Sequence, residues 1–369
     1  MRPLLLALLL ALALPAMPVH ASAQGVDSRA LAKSLAKRLV SDFVYPEQAA
    51  RYAAALNTQA DAGAYDALKG VELAQKLTDD LQAVARDGHL RVMYQGAGGG
   101  LRLVVKRAPD AAGTPATPGP APVMVRMTPP PEIEHARWLA PGVAFVRFNL
   151  FPGGPEATEA VRKFMESYAG AKVVIFDLRT HMGGGLDEMD VIFPALFAKP
   201  TALVRMATRK SVDAEGRAPL ADHPTLRVVP ADPAFVTREH WVTPGQDQRW
   251  RDTKVFVLIS GLTASAGEHF ALAFKQTRRG TLIGRTTYGA AHFGGDQDLG
   301  GEYTTFIPVG RAYDPTTGKD WEGTGIAPDI ETAPEDALIK ALTLSGVPLA
   351  EATRLSNEVA PTMPMGIGR

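Results

Sequence analysis

The chain has no cysteine among its 369 residues. Disulfide bonds, a thiolate nucleophile and cysteine-ligated metal sites are therefore excluded, and the stability of the fold must come from packing. An excess of charge of one sign is also lacking, since 39 basic residues balance 39 acidic ones. No overall field draws such a protein to nucleic acid or to an anionic membrane, so we expect its partners to be recognised locally.

Long apolar runs are lacking beyond the amino terminus. There, Arg2 precedes an apolar run from Leu4 to Leu14, and the small triplet Ala21-Ser22-Ala23 follows. The run is too short to span a bilayer, and this order is typical of a cleaved secretory signal. We predict a signal peptide over residues 1–23 and a mature protein in a bacterial periplasm, with no stable membrane insertion after cleavage. An uncleaved anchor is the alternative.

After the predicted signal peptide, the chain shows a helical pattern. Three segments carry apolar residues at three- and four-residue steps, which predicts helices over residues 27–43, 46–56 and 71–84. Alternating residues then predict strands at 90–94 and 101–105. We therefore predict an amino-terminal helical domain over residues 24–88.

Beyond residue 88, strand and helix patterns alternate. Apolar strands are predicted at 143–148, 172–177, 254–259 and 281–283, and helices at 155–168, 188–197 and 266–276. Apolar strands between helices predict an α/β fold in which a partly parallel sheet is covered on both faces. We assign residues 89–369 to this core domain, with a flexible Pro/Ala-rich loop at about 108–122.

A serine lies in the turn after one of these strands, where α/β sheets place their ligands. Ser265 is flanked by small residues and precedes a predicted helix. Such a turn exposes the hydroxyl, and the first helix amides, including that of Ala266, are left to stabilise an oxyanion. The turn alone favours a more common interpretation, in which Ser265 only caps the helix.

Three glycines, Gly183 to Gly185, follow another predicted strand. Glycines there let backbone amides face a phosphate or an oxyanion. The spacing matches neither a phosphate-binding loop nor a dinucleotide site, which leaves the oxyanion interpretation. No pair of histidines has the helical i, i+4 spacing of a zinc peptidase, so a metal site is less supported.

A base and a supporting carboxylate are needed to activate a serine. Of the eight histidines, three in polar stretches are expected on the solvated surface: His135, His223 and His240. Three others lie near the glycine or serine motifs: His181, His269 and His292. His89 stands at a predicted helix-to-strand turn, where a structural role is equally open. Glu322 lies among glycines and is either a supporting carboxylate or a surface ion-pair partner.

Four motifs in order give the chain its resemblance to a known family: Asp87-Gly88-His89, Asp177-Leu178-Arg179 with its glycines, Thr263 to Glu268, and Glu322-Gly323 leading to Asp329. The chain resembles the tail-specific, or C-terminal processing, serine peptidases. It is most similar to the branch related to interphotoreceptor retinoid-binding protein and to the tricorn core. The resemblance implies a crotonase-like α/β-spiral core and peptide hydrolysis through an acyl-enzyme.

The resemblance also assigns roles to residues. Members with a serine-lysine dyad carry a lysine where this chain has Ala290, so that dyad is excluded. A tricorn-like arrangement implies Ser265 as nucleophile, His89 as general base and Glu322 as supporting carboxylate. The amides of Gly184 and Ala266 would bind the oxyanion. The chain departs from the family at two positions: His181 replaces a usual asparagine, and Gly88 replaces a serine.

Neither a metal nor a cofactor is expected, and the predicted substrate is a peptide or an unfolded protein tail. No segment is recognised as a PDZ domain. Two alternatives stay open: a protein of this fold that only binds a small hydrophobic ligand such as a retinoid or fatty acid, and an esterase that shares the nucleophile. The oligomeric state and the cleavage preference cannot be inferred from the sequence.

Overall fold

The computed structural model describes residues 26–95 and 131–363. The predicted signal peptide, the predicted strand at 101–105 and the predicted loop at 108–122 lie outside these ranges. In the described ranges, no helix combines the length and the apolar character needed to cross a bilayer.

Three consecutive helices open the described part of the chain, and strands and helices are interspersed after them. The helices are α1 (Ser28–Asp42), α2 (Pro46–Asp61), α3 (Gly70–Val84), α4 (Gly154–Ser167), α5 (Asp187–Leu196), α6 (Lys210–Ala214), α7 (Ala266–Thr277), α8 (Ala337–Leu344) and α9 (Leu349–Glu358). The strands are β1 (Arg91–Tyr94), β2 (Ile133–Ala140), β3 (Val143–Phe148), β4 (Val173–Asp177), β5 (Thr201–Arg209), β6 (Leu226–Val229), β7 (Phe235–Val242), β8 (Lys254–Ile259), β9 (Thr281–Gly284), β10 (His292–Gly300), β11 (Tyr303–Tyr313) and β12 (Ile330–Glu331).

The helices α1, α2 and α3 lie where the apolar spacing predicts them. The Asp27 side chain caps α1 by accepting hydrogen bonds from two backbone amides, those of Arg29 and Ala30. The apolar faces of the three helices form one hydrophobic cluster that also contains Tyr303 and Ile307 of β11. The helical unit is thereby packed onto a sheet, and a domain boundary at residue 88 stays a prediction.

One sheet of the described residues has the order β12-β9-β8-β4-β3-β2, and its strands from β3 to β12 run parallel. The strands β3 and β4 are buried along their whole length, as their apolar sequences predict. Helices α5 and α7 contribute to the hydrophobic cluster on one face, and α8 and α9 to the cluster on the other. The predicted α/β class is confirmed; the crotonase-like spiral stays a prediction.

A second sheet has the order β1-β11-β5-β7-β6, with β10 also paired to β11. Its pairs are antiparallel, and the apolar pattern did not predict β5, β6, β7 or β10. This sheet carries β1 at one end, so the segment that follows α3 is held against the core.

The motif Asp177-Leu178-Arg179 forms a buried charge cluster at the end of β4. The Asp177 carboxylate accepts hydrogen bonds from Arg147 Nε at 2.9 Å and from Arg179 Nε and Nη2 at 2.8 Å. Burial alone would raise the pKa of Asp177, but the charges of Arg179 and Arg147 lower it below its usual range. The motif therefore stabilises the strand end that positions the following glycines.

Candidate active site

Ser265 occupies the N-cap position of α7, directly after β8 and its turn. Its backbone has φ 53° and ψ −118°, a left-handed conformation that is rare for a residue with a side chain. Such strain costs about 1–3 kcal/mol and persists only where surrounding contacts enforce it. A strand-to-helix turn of this kind is the geometry that exposes the nucleophile in many serine hydrolases.

Buried hydroxyls fix the turn that carries Ser265. Ser260 Oγ donates to the carbonyl oxygen of Arg179 at 2.6 Å, and Thr263 Oγ1 donates to that of Leu178 at 2.7 Å. These bonds tie the end of β8 to the end of β4, the neighbouring strand. The serine turn and the glycine turn are therefore held side by side.

Glu268, three residues after the serine, is a fully buried carboxylate. It accepts hydrogen bonds from the amides of Ser265, Gly289 and Ala290 and from the Thr287 hydroxyl. Burial raises the pKa of Glu268, and these donors oppose the rise. Glu268 thus joins the nucleophile turn to the segment that contains Ala290, a role that its sequence position did not reveal.

The glycine turn faces the serine. Gly183 and Gly184 have φ values of 122° and 127°, which favour glycine. A Cβ placed on Gly183 would lie 3.4 Å from Ser265 Oγ, and one on Gly184 would lie 1.9 Å from the carbonyl oxygen of Phe151. Glycine is required at Gly184 because the Phe151 backbone occupies the space of a side chain.

Gly184 and Ala266 are the residues whose amides are predicted to bind an oxyanion. Neither donates to a protein acceptor within the described ranges. Both residues line the same cavity as Ser265, whose volume is about 50 Å³. The structure therefore brings together Ser265 and two unpartnered backbone donors.

His181, which stands where the family usually has asparagine, is fully buried. Its Nδ1 accepts a hydrogen bond from the Gly183 amide at 3.2 Å. Burial lowers the pKa of His181 to about 3, so the ring is neutral and can accept. This side chain therefore supports the glycine turn.

Two predicted site residues, His89 and Glu322, do not line the cavity at Ser265. The His89 ring stacks on Phe306, with the ring centroids 5.1 Å apart, and its Nδ1 is buried without a partner. Burial lowers the pKa of His89 to about 4, which makes the imidazole a weak base.

Asp87, Glu322 and His292 form a cluster beside the turn that carries His89. His292 Nδ1 lies 2.7 Å from Asp87 Oδ2 and 3.7 Å from Glu322 Oε2. Glu322 also accepts hydrogen bonds from the amides of Gly88, Ala291 and His292. The carboxylate predicted to support a histidine therefore lies beside His292, a partner that the sequence motifs did not single out.

Among the described residues, these three side chains are the group whose ligand atoms are close enough to hold a metal ion. One ligand atom from each lies within 4.8 Å of the other two. Hydrogen bonds within the protein already occupy those atoms. Asp87 Oδ1 accepts from two backbone amides, Glu322 accepts from three, and the ring nitrogen facing the carboxylates is bonded to Asp87. The cluster therefore fits a structural brace better than a metal site.

The cluster predicts a pH-dependent contribution to stability. Burial opposes the charged form of Asp87, but the bond to His292 lowers the pKa of Asp87. Burial likewise opposes charge on His292, but Asp87 and Glu322 raise the pKa of His292. The Asp87 contribution is thus lost as the pH falls through its folded-state pKa. The His292 contribution is present below about pH 6.5 and is lost as the pH rises through its own folded-state pKa.

We expect Asp87→Asn to lower the free energy of unfolding by about 1.5–3 kcal/mol between about pH 4 and 6.5, and by less on either side. Urea unfolding of wild type and variant from pH 3 to 9 measures this difference. Asp296→Asn, at an exposed carboxylate of β10, is the control and should change little. A difference that does not vary with pH would contradict the assigned ion pair.

Two surface predictions for histidines need correction. His240 is fully buried and His223 is partly buried, because both belong to the region of the second sheet that the apolar pattern did not predict. His135 of β2 is partly exposed.

Comparisons with known proteins agree with this fold. The sequence profile of peptidase family S41 matches residues 142–332. The photosystem II D1 C-terminal processing protease is 17% identical with a TM-score of 0.51, over 91% of this chain and 99% of that chain. A candidate peptidase from Parabacteroides merdae ATCC 43184 is 15% identical with a TM-score of 0.54, over 86% and 96%. A lipoprotein from Streptococcus agalactiae is 13% identical with a TM-score of 0.51, over 91% and 98%. At these identities the structural likeness shows the fold alone.

Proposed function

The chain belongs to peptidase family S41, a family of serine peptidases, and from this premise we propose that it is an exported enzyme that cleaves peptides or unfolded protein tails through an acyl-enzyme on Ser265. One observation carries the proposal: Ser265 has a strained backbone at the start of α7 and shares a cavity with two unpartnered amides. A helix cap alone does not require positive φ or free donors in the same cavity.

The chemistry follows from this arrangement. Ser265 Oγ attacks the scissile carbonyl carbon and its proton passes to a base, while the amides of Ala266 and Gly184 donate to the oxyanion. The tetrahedral intermediate collapses when the base returns the proton to the leaving amine, which leaves an acyl ester on Ser265. Water activated by the same base then hydrolyses the ester and regenerates the serine.

We keep His89 as the proposed base and Glu322 as its support. A Cβ on Gly88 would lie 3.2 Å from Ala290 Cβ, so the turn before His89 abuts the place of the family's lysine. Glu322 holds this turn through the Gly88 amide at 2.6 Å. To act as base, the His89 ring must rotate from its stack on Phe306 towards Ser265.

Export rests on the predicted signal peptide at residues 1–23. The cleaved enzyme would meet peptides and protein tails outside the inner membrane. This localisation is independent of the catalytic proposal and is checked by the amino-terminal sequence of the protein recovered from a periplasmic fraction.

A fluorophosphonate probe tests the catalytic proposal on the wild-type protein. We expect one adduct per chain, found by peptide mass spectrometry on the segment that contains Ser265, together with cleavage of unstructured peptides. Wild-type protein that forms no adduct and cleaves no peptide would overturn the proposal. Cleavage of esters but not of peptides would indicate the esterase alternative.

The ligand-binding alternative receives less support from the cavities. The cavity at Ser265 measures about 50 Å³, far below the roughly 300 Å³ or more of typical ligand pockets. A cavity of about 340 Å³ lies nearby, but charged side chains such as Arg86, Arg91 and Glu322 contribute to its lining. A retinoid or a fatty acid needs a large apolar enclosure, which these two cavities do not provide.

A further inference from the structure

A chain of hydrogen bonds leads from the cavity at Ser265 to buried groups that the proposed mechanism does not use. His269, one helical turn after the serine in α7, lines the cavity. Its Nε2 lies 2.9 Å from Nδ1 of His240 in β7, and His240 Nε2 lies 2.8 Å from Asp190 Oδ1 in α5. Both histidine rings are buried, and the Asp190 side chain at the end of the chain is partly exposed.

The chain favours one proton position on His269. A carboxylate only accepts hydrogen bonds, so His240 must donate from Nε2 to Asp190. When each ring carries a single N–H, His240 Nδ1 accepts and His269 donates from Nε2. Nδ1 of His269 is then a bare acceptor on a ring that lines the cavity.

The surroundings keep His269 in this state. Burial, together with the neighbouring His240 and His223, lowers the pKa of His269 well below its usual value, so the ring is neutral. Asp190 is held on its other oxygen by the Thr225 hydroxyl at 2.8 Å. His223 lies beside this pair, 3.1 Å from Thr225 Oγ1 and 3.6 Å from Asp190.

The cavity also has a donor without a partner. Trp321 is a lining residue, and its indole Nε1 is buried with no hydrogen-bond partner. The remaining lining is largely apolar, and its larger members are Leu186, Met206, Leu220 and Phe293. Nε2 of His292, another lining residue, is also buried without a partner. A mostly apolar cavity with these groups, in addition to the amides of Gly184 and Ala266, suits a small group that can both donate and accept.

A hydroxyl is such a group. A water molecule needs roughly 10–15 Å³ of cavity volume, so a cavity of about 50 Å³ has room for only a few heavy atoms. The cavity adjoins the nucleophile and both oxyanion amides, where the side chain of the residue that supplies the acyl group must lie. Large and charged side chains do not fit its size or its lining.

We propose that this cavity receives the side chain on the acyl side of the scissile bond and selects serine or threonine there. This inference rests on the peptidase function proposed above. His269 is the specificity-determining residue, because it accepts the hydrogen bond of the substrate hydroxyl, and Trp321 donates to the same oxygen. His240 and Asp190 are positioning residues, since they act only through the tautomer and the orientation of His269.

Matched peptides test the selection, with threonine against valine and serine against alanine on the acyl side of the bond. A net hydrogen bond of about 0.5–1.5 kcal/mol corresponds to a preference of roughly 2- to 12-fold, and we expect kcat/KM to favour each hydroxyl peptide by that factor. His269→Leu should remove or reverse the preference for threonine over valine while fluorophosphonate still labels Ser265. Asp190→Asn should reduce the ratio of kcat/KM for threonine over valine peptides, a ratio that a general loss of folded enzyme would not change.

Trp321→Phe provides a second variant in case His269→Leu does not fold, because it keeps the ring and removes only the donor. It should lower the threonine preference, whereas Trp138→Phe, at an exposed tryptophan of β2, should leave it unchanged. Wild-type enzyme that cleaves valine and threonine peptides equally would overturn the selection and leave the peptidase function intact. A wild type that neither labels nor cleaves would overturn both.

Discussion

Replacing Ser265 with alanine is expected to lower kcat/KM for peptide substrates by about 10⁴-fold or more. The variant retains the amides of Gly184 and Ala266 and the cavity, but no hydroxyl remains there to form the proposed acyl ester. Steady-state assays with an unstructured fluorogenic peptide measure the loss. Fold integrity is checked by thermal melting, since removal of one partly exposed hydroxyl should hardly alter the melting temperature.

The matched control is Ser211→Ala, at an exposed serine of α6. It should retain wild-type kinetics, because the side chain lies in a helix outside the cavity lining. A Ser265→Ala protein with more than about one tenth of wild-type kcat/KM would show that another residue is the nucleophile.

Gly184→Ala is expected to lower kcat by about 10²- to 10³-fold, the usual effect of losing one oxyanion donor. The added methyl would lie 1.9 Å from the Phe151 carbonyl oxygen, and φ of 127° is unfavourable for alanine. The backbone must therefore move, and the Gly184 amide moves with it. Rates of acylation by a fluorophosphonate and rates of peptide turnover should fall together.

Gly185→Ala separates this effect from a general change in the loop. The nearest atom to a Cβ on Gly185 is 4.0 Å away, and the residue has no positive φ. We expect nearly unchanged kcat and a melting temperature close to wild type for this neighbour. Equal losses in the two variants would argue against a role for the Gly184 amide.

The part of the site that the sequence predicted depends on two adjacent strands. Apolar residues throughout β4 and β8 marked both as buried, and their paired ends bring Gly184, Ser265 and Ala266 to one cavity. Small residues in the two turns signal a close approach of backbone segments, which can be inferred without coordinates.

The rest of the site depends on strand pairings in the second sheet, which local sequence patterns do not encode. The strands β5 and β7 of the second sheet mix buried and half-buried positions, so their periodicity is weak. The polar stretch around His240 predicts a surface position, and the fold buries this side chain instead. The side-chain conformation of His89 likewise cannot be predicted from its neighbours in sequence. Its stack on Phe306 arises from the pairing of β1 with β11, which joins segments far apart in the chain.

The approach of Gly88 to Ala290 has a consequence for the catalytic base. The turn that carries His89 stands against the position from which a dyad lysine would extend, and a Cβ on Gly88 would also lie 3.3 Å from Glu322 Oε1. A lysine at Ala290 would therefore meet this turn, and a larger residue at Gly88 would crowd both neighbours. An exchange between a lysine at Ala290 and the proposed His89 base would therefore require changes in both segments.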